Sequence, residues 1–308
     1  MKTHTNEPAC QKIGQVVMDY RAYEGFDLYS DGLVEQEMLR LAKESPDWTH
    51  VLGQKRDWPF LCHFSPARRN LLEWYDFSPE AKLLEIGAGC GALTGLFCEK
   101  VKDVVAVELS KTRAEITAQR HQQCKNLTIL VGDLQKINFT EQFDYITLIG
   151  VLEYAGKFTP SRQPYLDFLV TVRKMLKPQG KLILAIENKF GLKYWAGAAE
   201  DHTGKPFEGV EGYPTSQGIA TFGRPELQAL LQQAGFTNID YYYPVPDYKL
   251  PKEVYSQAQL PKVGQLDAMT PNYDQDRIAL FREDLVYDGL IENNQFEFFA
   301  NSFLIFAQ

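Results

Sequence analysis

The stretch "LLEIGAGCGALTG", residues 83–95, restricts the fold more than any other part of the chain. An apolar run contains one acidic residue, Glu85, and is followed by glycines at alternate positions, Gly87, Gly89 and Gly91. Helical spacing then begins at Leu93, Leu96 and Phe97. A strand that passes into a helix through such a turn brings backbone close to a ligand, because glycine has no Cβ to keep the ligand away. The dinucleotide fingerprint is G-x-G-x-x-G, and the spacing G-x-G-x-G does not match it.

From Lys82 to Gly235 strand and helix patterns alternate. Strands are expected at 82–88, 103–109, 127–133, 143–154 and 181–188. Ser110 suits the N-cap of a helix running to about Cys124. Pro164 and Pro225 suit first helical turns, and Gly235 suits a helix stop. Near-continuous apolar strands between amphipathic helices imply a parallel sheet covered on both faces. Two later strands are expected, "IDYYYPV" (239–245) and "FANSFLIFA" (299–307). Residues 1–80 contain the amphipathic segment "LVEQEMLRLAKE" (33–44) and read as a helical lid on the ligand edge.

The chain has 308 residues and a net charge of −8, which argues against broad binding to a phosphate backbone. Its five cysteines form no CxxC pair and no zinc spacing, so free thiols in a reducing compartment are expected. The polar start lacks the apolar core of a signal peptide, and no run is long enough for a membrane span. A cytoplasmic protein without membrane insertion is expected. No metal-ligand cluster is visible from spacing.

The motif ExGxGxG, Glu108 at the end of the second strand and Asp133 at the end of the third together resemble the class I S-adenosylmethionine-dependent methyltransferases. The resemblance covers about residues 80–245 and the final strand. It implies an α/β, Rossmann-like, seven-stranded sheet with helices on both faces, closed by an antiparallel pair. The domain would span 81–308, with insertions at about 189–222, after strand 5, and 247–297, between strands 6 and 7. It also implies S-adenosylmethionine as cofactor and S-adenosylhomocysteine as product. The cofactor would lie along Glu85, Gly87, Ala88, Gly89 and Gly91. Glu108 and Leu109 would meet the ribose, Asp133 and Leu134 the adenine, and Gly150 and Val151 the sulfonium side.

The same motifs are similar to ribosomal-RNA adenine dimethylases, but those carry a proline-containing stretch after strand four where this chain reads "GVLEYAG" (150–156). The expected acceptor is therefore a small molecule or glycan precursor, methylated on O or N, and not a nucleic acid. Residues 187–214 and 241–256 resemble bacterial methyltransferases associated with cell-surface polysaccharide and lipopolysaccharide clusters, sometimes found beside glycosyltransferases. A glycosyltransferase partner follows as an expectation. An RNA methyltransferase and a non-catalytic cofactor-binding partner of a glycosyltransferase are the alternatives.

Methyl transfer needs alignment and, for a hydroxyl or ammonium acceptor, a base. His202, beside Asp201 in "EDHTG", is the candidate base, since an unperturbed imidazole titrates near neutrality. Glu187 and Asp247 are further catalytic candidates. Asn188, Tyr194, Trp195, Tyr213 and Tyr248 are expected to line an acceptor pocket. His63 is expected beside the cofactor, and Arg68 or Arg69 within reach of an anionic group.

Overall fold

The computed structural model describes residues 9–27, 29–30, 32–44, 48–55, 57–266 and 277–308. The chain forms two compact units, residues 1–147 and 148–308.

In the first unit lie β1 (Cys10–Ile13), β2 (Val16–Ala22), β3 (Lys82–Ile86), β4 (Asp103–Glu108), β5 (Leu127–Gly132) and most of β6 (Phe143–Ile149). Their order is β1-β2-β5-β4-β3-β6. β3, β4 and β5 pair in parallel, as expected of apolar strands buried on both faces. Leu83, Leu84, Val104, Ala106 and Ile129 are fully or almost fully buried. β6 ends at Ile149, where Gly150 takes φ +70°, and Leu152–Tyr154 forms a 3₁₀ turn. The strand expected to run through 154 therefore stops five residues early.

The second unit holds β7 (Leu176–Glu187), β8 (Ile239–Val245), β9 (Glu253–Ser256) and β10 (Ser302–Ala307), in the order β7-β10-β8-β9. β10 is antiparallel to both β7 and β8, so the closing pair expected from "IDYYYPV" and the final strand is present. Every residue of β10 is buried.

The described residues contain ten strands, not the expected seven. Two of the extra strands come from the segment read as a helical lid. β1 and β2 form a hairpin whose turn begins at Gly14, φ +58°, and β2 adds in parallel to β5. The third, β9, comes from the segment between β8 and β10. The rest of the N-terminal region is helical at Leu33–Glu44, Trp48–Gln54 and Trp58–Phe64. Met38, Ala42, Val51, Phe60 and Phe64 pack with Cys90 and Ile116 in one apolar cluster. This burial sets the N-terminal helices against the glycine turn's own segment. The Arg113 guanidinium, buried on helix Lys111–Arg120, pairs with the buried Glu35 carboxylate.

Candidate functional site

In the first unit the glycine turn follows β3 directly. Gly87, Gly89 and Gly91 all have positive φ, +75°, +57° and +76°. A Cβ on Gly91 would lie 2.9 Å from both His121 Nε2 and Thr117 Cγ2, so packing alone excludes a side chain there. A Cβ on Gly89 would meet only His63 Cε1, at 3.9 Å. The turn is thus closed beneath Gly91 and open above Gly89, which is the cradle a ligand approaching the backbone requires. His63 stands beside Gly89. Burial, followed by the charges of Arg113, Arg68 and Arg120, holds its pKa well below the ordinary histidine value.

Glu108 does more than the sequence implies. Its Oε2 accepts the Gly89 N–H at 2.7 Å and its Oε1 accepts the Ser110 N–H at 2.9 Å. The carboxylate is buried. Burial raises its pKa above the usual carboxylate range. Glu85 is also buried; Thr94 Oγ1 donates to its Oε2 at 2.6 Å, and burial pushes its pKa up to about 8. Asp133 and Leu134 are half-buried, and the Asp133 carboxylate accepts the Gln135 N–H at 3.0 Å, capping a short 3₁₀ turn. Ala88 is buried and Leu109 half-buried. The half-buried Arg69 pairs with Glu73 at 2.8 Å and Glu99 at 2.5 Å. Arg120, which the sequence gave no reason to select, donates to the backbone carbonyls of His63 and Cys90 and packs over Trp48 and Phe64.

In the second unit the fold collects charged groups from four separate segments. His202 lies in the insertion after β7 and is almost completely buried. Its Nδ1 is 2.9 Å from Glu200 Oε1, and its Nε2 is 3.6 Å from Glu153 Oε1. Glu200 Oε2 also accepts the N–H groups of His202 and Thr203 at 2.8 and 2.7 Å. The sequence neighbour Asp201 is not the partner of His202. It faces the other way, to Lys193 Nζ at 2.8 Å, Lys249 Nζ at 2.6 Å and the Tyr194 hydroxyl at 2.5 Å. Burial disfavours a charged His202, but Glu187, Glu153 and Glu200 outweigh it and raise its pKa well above the ordinary value.

Glu187, at the end of β7, is fully buried. Its Oε1 accepts from Lys249 Nζ and, at 3.3 Å, from the Tyr248 hydroxyl, while its Oε2 has no partner. Glu153 Oε2 is likewise buried without a partner. Asp247 accepts the Lys249 N–H at 2.8 Å and lies 3.7 Å from Lys193 Nζ, so it caps a turn and balances a lysine. Gly150 and Val151 are half-buried, and a Cβ on Gly150 would lie 2.8 Å from the Tyr248 hydroxyl.

Asn188 is not available to an acceptor. It is fully buried, its amide donates to the carbonyls of Phe298 and Ala300, and its Oδ1 accepts the Phe190 N–H. Tyr213 bonds Thr221 Oγ1 at 2.6 Å and donates to Glu200 Oε1 at 3.1 Å. Tyr194 and Tyr248 are buried, whereas Trp195 is 38% exposed and stacks edge-on with Phe299. Sequence reasoning missed Glu153, Glu200, Lys193 and Lys249. For Glu153 a signal existed, one acidic residue in the otherwise apolar "GVLEYAG" just past a strand.

Residues 84–184 match the family model described as a methyltransferase domain. The chain is 37% identical over 71 residues to a probable ribosomal RNA small subunit methyltransferase A of Methanosarcina acetivorans, covering 23% of this chain and 26% of that protein. It is 25% identical to nodulation protein S of Rhizobium tropici over 53% of this chain and 61% of that one. The chain thus spans about a quarter of the length of the ribosomal RNA relatives it matches. Among solved structures, phosphoethanolamine N-methyltransferase 1 of Haemonchus contortus is 12% identical, with a TM-score of 0.48, over 89% of this chain and 48% of that one. Among the described residues no helix is long and apolar enough to cross a membrane.

Proposed function

We propose that the chain is an S-adenosylmethionine-dependent methyltransferase acting in the cytoplasm on an O or N atom of a small molecule or glycan precursor, with a glycosyltransferase as its partner. The observation that carries the reading is the glycine turn, open above Gly89 and braced from below by Glu108, within the stretch that matches a methyltransferase domain. Gly87, Gly89 and Gly91 would hold the cofactor's backbone-facing side, Glu108 its ribose and Asp133 its adenine. When bound, the cofactor supplies an electrophilic methyl group on a sulfonium. The protein's part is to bind, orient and exclude water.

The polar interior of the second unit supports a compact, polar acceptor. Tyr194, Tyr213, Tyr248 and the carboxylates of Glu153 and Glu187 are groups that recognise hydroxyl and amino functions. His202 would serve as the base or orient such a group, and Glu153 is the alternative proton acceptor. The test is a tritiated-methyl assay against fractionated extract of the source cell. Label in a small, protease- and nuclease-resistant species supports the reading; label confined to RNA overturns it.

A second reading, an RNA methyltransferase, is favoured by the ribosomal RNA relatives. The net charge of −8 and the absence of proline in "GVLEYAG" oppose it.

A further inference from the structure

We propose that Glu153, Glu187 and His202 form a binding site for one divalent transition-metal ion of the manganese or zinc class. Each of the three offers one ligand atom, and these atoms lie within 4.8 Å of one another. The spacing is wide enough for an ion among them and close enough for modest side-chain adjustment to complete the shell.

The cluster is distinguished from an ordinary group of acids by its unused atoms. Glu153 and Glu187 are 1% and 0% exposed, yet Oε2 of each has no hydrogen-bond partner. Buried carboxylate oxygens are normally satisfied, and two orphans in one cluster with a histidine need an explanation. The ion pair between His202 Nε2 and Glu153 Oε1, at 3.6 Å, engages only Oε1 and leaves Oε2 of Glu153 without a partner.

The outer groups are arranged as they are around metal ligands. Glu200 holds His202 Nδ1 at 2.9 Å, which fixes the ring and turns Nε2 toward the carboxylates. Lys249 and Tyr248 both engage Oε1 of Glu187 and leave Oε2 free. One imidazole and two carboxylates make a borderline-hard donor set, suited to manganese or zinc more than to copper(I) or calcium. The ion's charge would also offset a group of carboxylates that Lys193 and Lys249 only partly balance.

The experiment uses the full chain, stripped with EDTA, dialysed and titrated with manganese(II) while free ion is read by electron paramagnetic resonance. One ion per chain should bind, with affinity lowered about 10-fold or more in Glu153→Gln and in His202→Asn. The exposed-site control Glu211→Gln should bind as wild type. Absence of binding, or binding equal in wild type and both variants, overturns the proposal. Should a variant fail to fold by circular dichroism, wild-type protein decides. Zinc(II) must shift the nitrogen-15 resonance of one imidazole Nε2 at one equivalent, and an unshifted set of histidine resonances overturns the site.

Discussion

The Gly89 N–H donates to the Glu108 carboxylate at 2.7 Å, so a residue at the end of one strand braces the turn that follows another. Glu108 thereby has two tasks. It holds the glycine turn in shape, and in the proposed function it also binds the ribose. Glu108→Ala should weaken S-adenosylhomocysteine binding by about 1–3 kcal/mol, the usual range for removing a hydrogen-bonding partner. Calorimetry returning wild-type affinity would refute both tasks together.

Gly91 and Gly89 should respond differently to alanine. Gly91→Ala combines positive φ with a Cβ at 2.9 Å from His121 and Thr117, and it should cost about 1–3 kcal/mol of stability. Gly89→Ala meets no such contact and should cost about 1–2 kcal/mol from its backbone alone, while its new methyl enters the ligand's space. Urea unfolding paired with ligand titration separates the two. Equal stability losses, with binding intact in Gly89→Ala, would contradict the assignment of an open and a closed side.

Glu85 ties stability to pH. Burial raises its pKa to about 8 from an ordinary value of 4.5, so the folded chain holds a proton that the unfolded chain releases. Its contribution is fully present below about pH 4.5 and is lost as pH rises through about 8. Within that window the slope approaches 1.4 kcal/mol per pH unit. Glu85→Gln should remove that component, gaining on wild type as pH rises from 5 to 8. Parallel stability profiles for the two proteins would show that Glu85 does not titrate there.

The pair of Glu35 and Arg113 is the charged tie between the N-terminal helix Leu33–Glu44 and helix Lys111–Arg120. Glu35→Ala strands a buried guanidinium and should destabilise the fold by about 3–5 kcal/mol. A loss below about 1 kcal/mol in denaturant titration would mean that Arg113 finds water or another partner.

His202→Ala should leave cofactor affinity nearly unchanged while lowering turnover about 100-fold or more. An enzyme whose turnover keeps wild-type values would remove His202 from the acceptor chemistry altogether.

The glycine turn, Glu85, Glu108 and Asp133 were legible in the sequence because each lies at a strand end or in the turn itself, where local pattern fixes position. The N-terminal helix was equally plain from its spacing and spans the expected residues, Leu33–Glu44. β1 and β2 were missed because "IGQV" carries none of the common hairpin turn pairs, and β2 gains its place only by pairing with β5. The charged group around His202 was only half legible. Glu187 and His202 could be suspected one by one, but their company with Glu153, Glu200 and Lys249 comes from loops folded across long sequence separations. The adjacency of Asp201 and His202 misled for the same reason, since neighbours on an irregular segment can point to opposite sides.

Two side-chain amides bind the ends of the second unit's long insertions. Asn188 holds the carbonyls of Phe298 and Ala300, and Asn301 holds the Pro246 carbonyl and the Lys193 N–H. The roots of both insertions are thus stapled to the start of β10, independently of what lies between the roots. Such an arrangement makes the insertions exchangeable cassettes. Their lengths and sequences can drift, or be swapped in the laboratory, while Glu187 keeps its address at the end of β7. On the acceptor role proposed for these segments, new preferences would be reachable without rebuilding the sheet that carries them.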